Sequence, residues 1–209
     1  MLYDPTRKLV FVHLIRCGGT SIKTSLAEAC NGAIVKLGRG RHLRAFEIRR
    51  RIGRAAWAGC YKFATIRPPH EAIESDWRLT LRDLEAMDPQ EAPFRMSPSW
   101  FTRLMRVRTH RDFGRFVTDE VLPAYRPGGY WQTFCHTPDG QDLGVEPIPF
   151  GQLADRWPEI LARAGLPADV ELQHLNAAPP ASIEWPEGLR EKVAEHFAGD
   201  YELLESLAE

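Results

Sequence analysis

The sequence predicts an α/β fold: a central parallel sheet flanked by helices, in one domain over residues 1–209. Two strand–turn–helix units and a late strand carry that prediction. In the first unit the β-formers Leu9-Val10-Phe11-Val12 run through His13-Leu14-Ile15 into the turn Arg16-Cys17-Gly18-Gly19-Thr20-Ser21, and an amphipathic segment follows. In the second, Cys60 to Ile66 reads as a buried strand ending at Arg67-Pro68-Pro69. Proline is pre-shaped for the first turn of a helix, so a helix is expected to carry Glu71 to Trp77, Ser75 included. Val145 to Phe150 reads as the late strand. Pro147 and Pro149 place it at a sheet edge, because proline cannot donate to an inner ladder.

The remaining chain is less regular. Gly40 to Ile48 reads as a histidine, His42, ahead of a short helix, and Arg49, Arg50, Arg51 and Arg54 form a solvated basic face. Met87 to Pro93 reads as a loop. Trp100, Phe101, Leu104 and Met105 resume an apolar pattern, interleaved with Arg103, Arg106 and Arg108. That mixture suits either a glycan groove or a core edge with solvated charges. Arg111 to Leu122 is expected to be a helix with Phe113, Phe116, Val117 and Val121 on one face. Gly128-Gly129 and the turn Pro138-Asp139-Gly140 suggest a hairpin or β-rich insertion. Leu153, Trp157, Ile160, Leu161 and Ala164 line one side of a helix closed by Gly165. A closing helix from about Pro186 buries Leu189, Val193 and Phe197.

Composition bounds the function. At 209 residues the chain can bury a full core, and 44% hydrophobic with 26% charged residues is ordinary for a globular domain. A net charge of −1 argues against a nucleic-acid-binding chain. The charge is unevenly spread: residues 1–60 hold twelve Lys/Arg against three Asp/Glu, and residues 150–209 hold four against twelve. A basic half suits a polyanionic ligand. No apolar run reaches the length of a membrane span, and the N-terminus has no signal-peptide pattern, so the expectation is a cytoplasmic protein without a membrane partner. Four dispersed cysteines lack a C-x-x-C pair, which points to buried free thiols rather than a zinc or redox motif. No His pair has helical zinc spacing, so no metal is expected.

The first turn has the chemistry of an anion site. Its glycines let backbone approach a ligand closely, the amides of a helix start point at it, and Arg16 adds a planar fork of charged donors. The Gly-Lys-Ser/Thr of ordinary P-loop ATPases is absent from the chain. Arg67, at the carboxyl end of a second strand, lies where open α/β sheets bind ligands. A hydroxyl at Ser75 can reach the same anion. Cys17, beside an arginine and a helix start, is expected to have a lowered pKa and to be open to oxidation or alkylation.

These segments resemble the sulfotransferases that use 3′-phosphoadenosine 5′-phosphosulfate (PAPS), in their carbohydrate branch, as bacterial-type proteins without the Golgi anchor. The family's phosphosulfate loop reads roughly H-I-P-K-T-G-G-T-S. His13 and Gly18 to Ser21 match it, while Arg16 stands for the lysine and Cys17 for the threonine. A second family pattern, R-N-P-x-x-R-x-x-S at a strand end, is matched by Arg67, Pro69 and Ser75. Pro68 replaces its asparagine and Ala72 its second arginine. His174-Leu175-Asn176 matches a family H-x-N segment, although Ala177 and Ala178 stand where a basic residue often follows. The Tyr201 to Leu204 ending is also similar. The resemblance runs from about Leu9 to Leu204 and is loose between Trp77 and Tyr130.

The resemblance implies a nucleotide-kinase-like sulfotransferase fold and sulfuryl transfer from PAPS to an acceptor hydroxyl, on a saccharide or glycan. It gives Arg16 and the segment Cys17, Gly18, Gly19, Thr20 and Ser21 the 5′-phosphosulfate, and Arg67 and Ser75 the 3′-phosphate. Arg16 would also stabilise the departing charge. His42 would be the general base, with Glu47 and Glu71 as weaker candidates. His13 would orient the loop, and His196 would be structural. Two other functions remain open: a non-catalytic protein binding PAPS or its desulfated product, and an ATP-dependent phosphotransferase on the same fold.

Overall fold

A computed structural model of the chain describes residues 1–30, 35, 37, 42–88, 96–173 and 183–208. Its sheet has four strands: β1 (Leu2–Asp4), β2 (Leu9–Phe11), β3 (Tyr61–Ile66) and β4 (Glu146–Pro149), in that spatial order. β2, β3 and β4 run parallel, and β1 pairs antiparallel with β2. The expected parallel sheet is therefore mixed. β1 escaped the sequence reading because only three residues form it, and the turn closing it is held by the Asp4 carboxylate. That side chain accepts from the amides of Thr6 and Arg7 at 2.9 and 3.0 Å. β4 lies at the edge, as Pro147 and Pro149 require.

The period of two in β2 and β3 divides the core between the faces of the sheet. Leu9, Phe11, Phe63 and Ile148 face α1 (Gly19–Ala29), through Ile22 and Leu26, and α8 (Leu153–Arg163), through Trp157, Ile160 and Leu161. Val10, Val12, Ala64 and Ile66 belong to the larger core on the other face. There pack α2 (Ala45–Ile52), α3 (Arg54–Ala58), α4 (Pro69–Glu85), α5 (Pro98–His110), α6 (Phe113–Arg115), α7 (Tyr130–Cys135) and α9 (Leu189–His196). α10 (Ala198–Ser206) closes the described chain. Among the described residues, no helix is long and apolar enough to cross a membrane.

Two expected elements differ. The helix foreseen from Arg111 starts at Phe113, because Arg111 sits in the left-handed region (φ 47°) and ends α5. Asp112 then caps α6, accepting from the Arg115 amide at 2.7 Å. The chain continues as a π-helical turn over Phe116–Val121 and a 3₁₀ turn over Leu122–Ala124, where Pro123 halts it. The expected β-rich insertion is mostly the helix α7. The Pro138–Gly140 turn exists, but it closes a single antiparallel bridge between His136 and Asp142.

The reason α7 is helical lies about 70 residues away. The carboxylate of Asp200, fully buried, accepts from the amides of Tyr130 and Trp131 at 2.7 and 2.8 Å. It thereby satisfies donors that a helix start leaves orphaned. Gly129, at φ 103°, leaves no room for a Cβ against this carboxylate.

Burial pushes the Asp200 pKa up to about 7, although both amide bonds oppose the shift. A folded-state value above the unfolded one makes the contribution full below about pH 4. It is lost as pH rises through 7, at up to roughly 1.4 kcal/mol per pH unit. Urea unfolding should thus show the midpoint of the natural protein falling between about pH 5 and pH 8. Asp200→Asn should flatten that slope. It should also lower stability by roughly 1–3 kcal/mol at acid pH, since an amide NH₂ would face a backbone N–H.

Candidate functional site

Because β2 and β3 are parallel neighbours, the turns leaving them emerge side by side at the carboxyl edge of the sheet. The first turn spans His13 to Gly18. Arg16 holds a left-handed backbone (φ 60°), which a long L-side chain adopts only under constraint. Gly18 follows at φ 74° as the N-cap of α1. Its N-cap, Gly18, has no side chain to cap with, and no acidic residue lies in its first turn; the leading amides, as in any helix, have no intrahelical acceptors. A Cβ at Gly18 would come within 2.5 Å of Phe150 Cε2, and one at Gly19 would overlap the His13 ring. Gly18 is thus required both sterically and by its backbone conformation, and Gly19 sterically.

The second turn locks onto the first. The Thr65 hydroxyl donates to the Cys17 carbonyl. Arg67 Nη1 donates to the Arg16 carbonyl at 3.3 Å. Arg16 in turn crosses to α4, where Nε and Nη2 donate to Ser75 Oγ at 3.1 and 2.9 Å. Burial lowers the Arg16 pKa from its ordinary value, yet an arginine stays charged. Arg67 also pairs with Glu71 Oε2 through Nη2 at 2.8 Å and Nε at 3.3 Å. The Phe150 ring lies 5.1 Å from the Arg67 guanidinium carbon. Arg16, Gly18, Gly19, Arg67 and Ser75 therefore share one locality, with Thr20 exposed and Ser21 half-buried in the first turn of α1.

Cys17 departs from expectation. Its thiol is buried in the core and bonds the Ile15 carbonyl at 3.3 Å. Burial pushes its pKa up to about 12, outweighing the nearby arginines. A loop position beside a cation suggested a reactive thiol; the side chain instead points inward, and only the backbone of Cys17 borders the turn. Ala72 is likewise fully buried. No side chain from that position of α4 extends toward solvent.

His42 contacts the same turn. Its Nδ1 lies 3.1 Å from the His13 carbonyl, which can only accept, so Nδ1 donates there. The two imidazoles pack at 4.3 Å. His13 itself is buried against Gly19, and its Nδ1 has no hydrogen-bond partner. Burial first, and then His42, hold the His13 pKa well below the ordinary imidazole value. A neutral His13 thus packs against the start of α1.

The arginine–aromatic segment on α5 is not an open groove. Arg103 pairs with Asp76 at 2.6 Å beneath Trp100 and Phe116, and Arg106 pairs with Glu120 at 2.9 Å. A hollow of about 310 Å³ lies at the far end of α1, between Ser25, Glu28, Asp169, Glu171 and Gln173, and its acidic lining does not suit an anion. His196 bonds the Tyr125 carbonyl at 3.1 Å and is structural. His174 to Asn176, with Gly40 and Arg41 ahead of His42, lie outside the described residues. Phe150 and Thr65 were not read as site residues. Phe150 could have been found by applying to β4 the strand-end rule that picked out Arg67.

The thiol result is directly measurable. All four cysteines are free and buried. Iodoacetamide at about pH 8 should modify none of them rapidly in the folded protein and all of them after urea unfolding.

Neither models of known protein families, nor curated proteins, nor solved structures give a match to this chain.

Proposed function

We propose that the chain is a PAPS-dependent sulfotransferase acting on an acceptor hydroxyl, most simply that of a saccharide. The observation that carries this reading is the meeting of Arg16, Arg67 and Ser75 beside a glycine-started, acid-free helix. Two cations, one hydroxyl and a row of amides fit a ligand with two separate phosphate-level charges.

In this reading Arg16 and the amides of Gly18 to Ser21 hold the 5′-phosphosulfate, and Arg67 with Ser75 holds the 3′-phosphate. The exposed ring of Phe150 walls the same edge. PAPS supplies a sulfuryl group whose bridging S–O bond breaks as the acceptor oxygen forms a new O–S bond, releasing 3′-phosphoadenosine 5′-phosphate. His42 Nε2 takes the acceptor proton. Arg16 has no proton to donate at neutral pH, so it assists by charge on the departing phosphate oxygen.

A non-catalytic binding protein is the second reading. It is favoured by Arg16 in place of lysine and by the buried Ala72 in place of an arginine. Sulfuryl transfer to any member of a panel of hydroxyl acceptors would exclude it.

The first test is calorimetric titration with 3′-phosphoadenosine 5′-phosphate, against AMP and against ATP with and without magnesium. Binding should require the 3′-phosphate and no metal. Arg67→Ala should weaken it by roughly 2–4 kcal/mol, since a charge-assisted contact to a partly buried guanidinium is lost. A preference for ATP with magnesium would instead indicate phosphoryl transfer.

His42→Ala should lower turnover at least tenfold, by about the contribution of a positioned general base, with product affinity nearly intact. Unchanged turnover would remove His42 from the chemistry.

A further inference from the structure

Each of the three side-chain nitrogens of Arg67 already donates within the protein. Nη1 is given to the Arg16 carbonyl, while Nε and Nη2 both converge on one oxygen of Glu71. The Nε–Nη2 edge is the bidentate edge that an arginine normally offers to a carboxylate or phosphate. The opposite flank of the guanidinium carries Phe150. An incoming phosphate therefore finds the best face of Arg67 taken by an anion of the protein itself.

The two partners are unequally held. The Arg67 side chain is 19% exposed and fixed from two turns, whereas Glu71 is 44% exposed and attached only through this i,i+4 pair. A pair of this kind is weak, about 0.2–1 kcal/mol. Glu71 can swing to solvent with little loss, while Arg67 cannot follow it. No neighbouring cation holds Glu71 independently among the ion pairs of the described residues.

We propose that Glu71 is a built-in competitor for the 3′-phosphate of the nucleotide, occupying Arg67 until that phosphate displaces it. The inference rests on the reading of Arg67 as the 3′-phosphate site. Its consequence is a lower affinity for any ligand that must take the Nε–Nη2 edge of Arg67. A nucleotide without a 3′-phosphate gains nothing from displacing Glu71 and leaves the pair in place. A phosphate delivered to that edge must first displace the carboxylate.

The test is Glu71→Gln, which keeps side-chain shape and helix position but removes the charge, with Glu71→Ala as a second variant. Titration with 3′-phosphoadenosine 5′-phosphate at low salt should tighten roughly three- to tenfold, the loss of one surface ion pair and of its repulsion on the ligand. AMP affinity should stay unchanged, and the gain should vanish in an Arg67→Ala background. Equal or weaker binding of 3′-phosphoadenosine 5′-phosphate by both variants would overturn the proposal, because Glu71 would then be bracing Arg67 rather than blocking it. Failure of the natural protein and of both variants to distinguish 3′-phosphoadenosine 5′-phosphate from AMP would overturn the 3′-phosphate reading of Arg67 and the proposal with it.

Discussion

The parallel pairing of β2 with β3 is the constraint on which the site depends. It places two strand ends, otherwise some fifty residues apart in sequence, at one edge of the sheet. The Val12 amide extends the pairing by donating to the Phe63 carbonyl at 2.9 Å. Beyond that point the ladder is replaced by side chains: Thr65 holds the Cys17 carbonyl and Arg67 the Arg16 carbonyl. The carbonyls of a strained turn are thereby satisfied from the neighbouring strand end, as buried backbone groups must be. The left-handed backbone of Arg16 persists because both neighbours over-determine it. Removing the hydroxyl of Thr65 would release a turn, not merely a hydrogen bond.

The same constraint brings two guanidinium groups together, which by itself is unfavourable. The protein offsets the repulsion in three ways. Asp76 lies near Arg16 and favours its charge. Glu71 covers Arg67, and Phe150 offers its π-face. None of these is a full bidentate partner for Arg16, whose fork rests on one serine hydroxyl. The arrangement keeps positive charge at a helix start that already favours anions. His13, held neutral by burial, adds no further charge there.

Much of this was legible in the sequence because it depends on local pattern. Strand-formers followed by glycine, proline opening a helix, and prolines confined to an edge strand each reflect backbone sterics within a few residues. Arg16, Arg67 and Ser75 could be grouped because parallel strands share a carboxyl edge. What was not legible depends on distant partners. Gly128-Gly129 has the composition of a hairpin turn, and only a carboxylate at Asp200 turns the following residues into a helix. Cys17 sits in a cationic sequence neighbourhood, but the αL step at Arg16 turns its side chain inward to the core. Arg103 and Arg106 left a groove and a core edge both open, because Asp76 and Glu120, their partners, lie on other turns of the chain.

Arg16 and Ala72 share one geometric setting. Ala72 and Ser75 are three residues apart and lie on one face of α4. A buried alanine at 72 brings no charge to that face. Arg16, longer than a lysine and forked, crosses from the opposite turn to Ser75 and brings its guanidinium to the same helix. A lysine there would be a single point donor and could not span two nitrogens onto the hydroxyl. The cation near this face of α4 comes from the β2–α1 turn, held by one hydroxyl. The coupling also ties the two turns more tightly, since Arg67 grips the backbone of the residue whose side chain grips Ser75. An anion seated on either turn therefore acts on both.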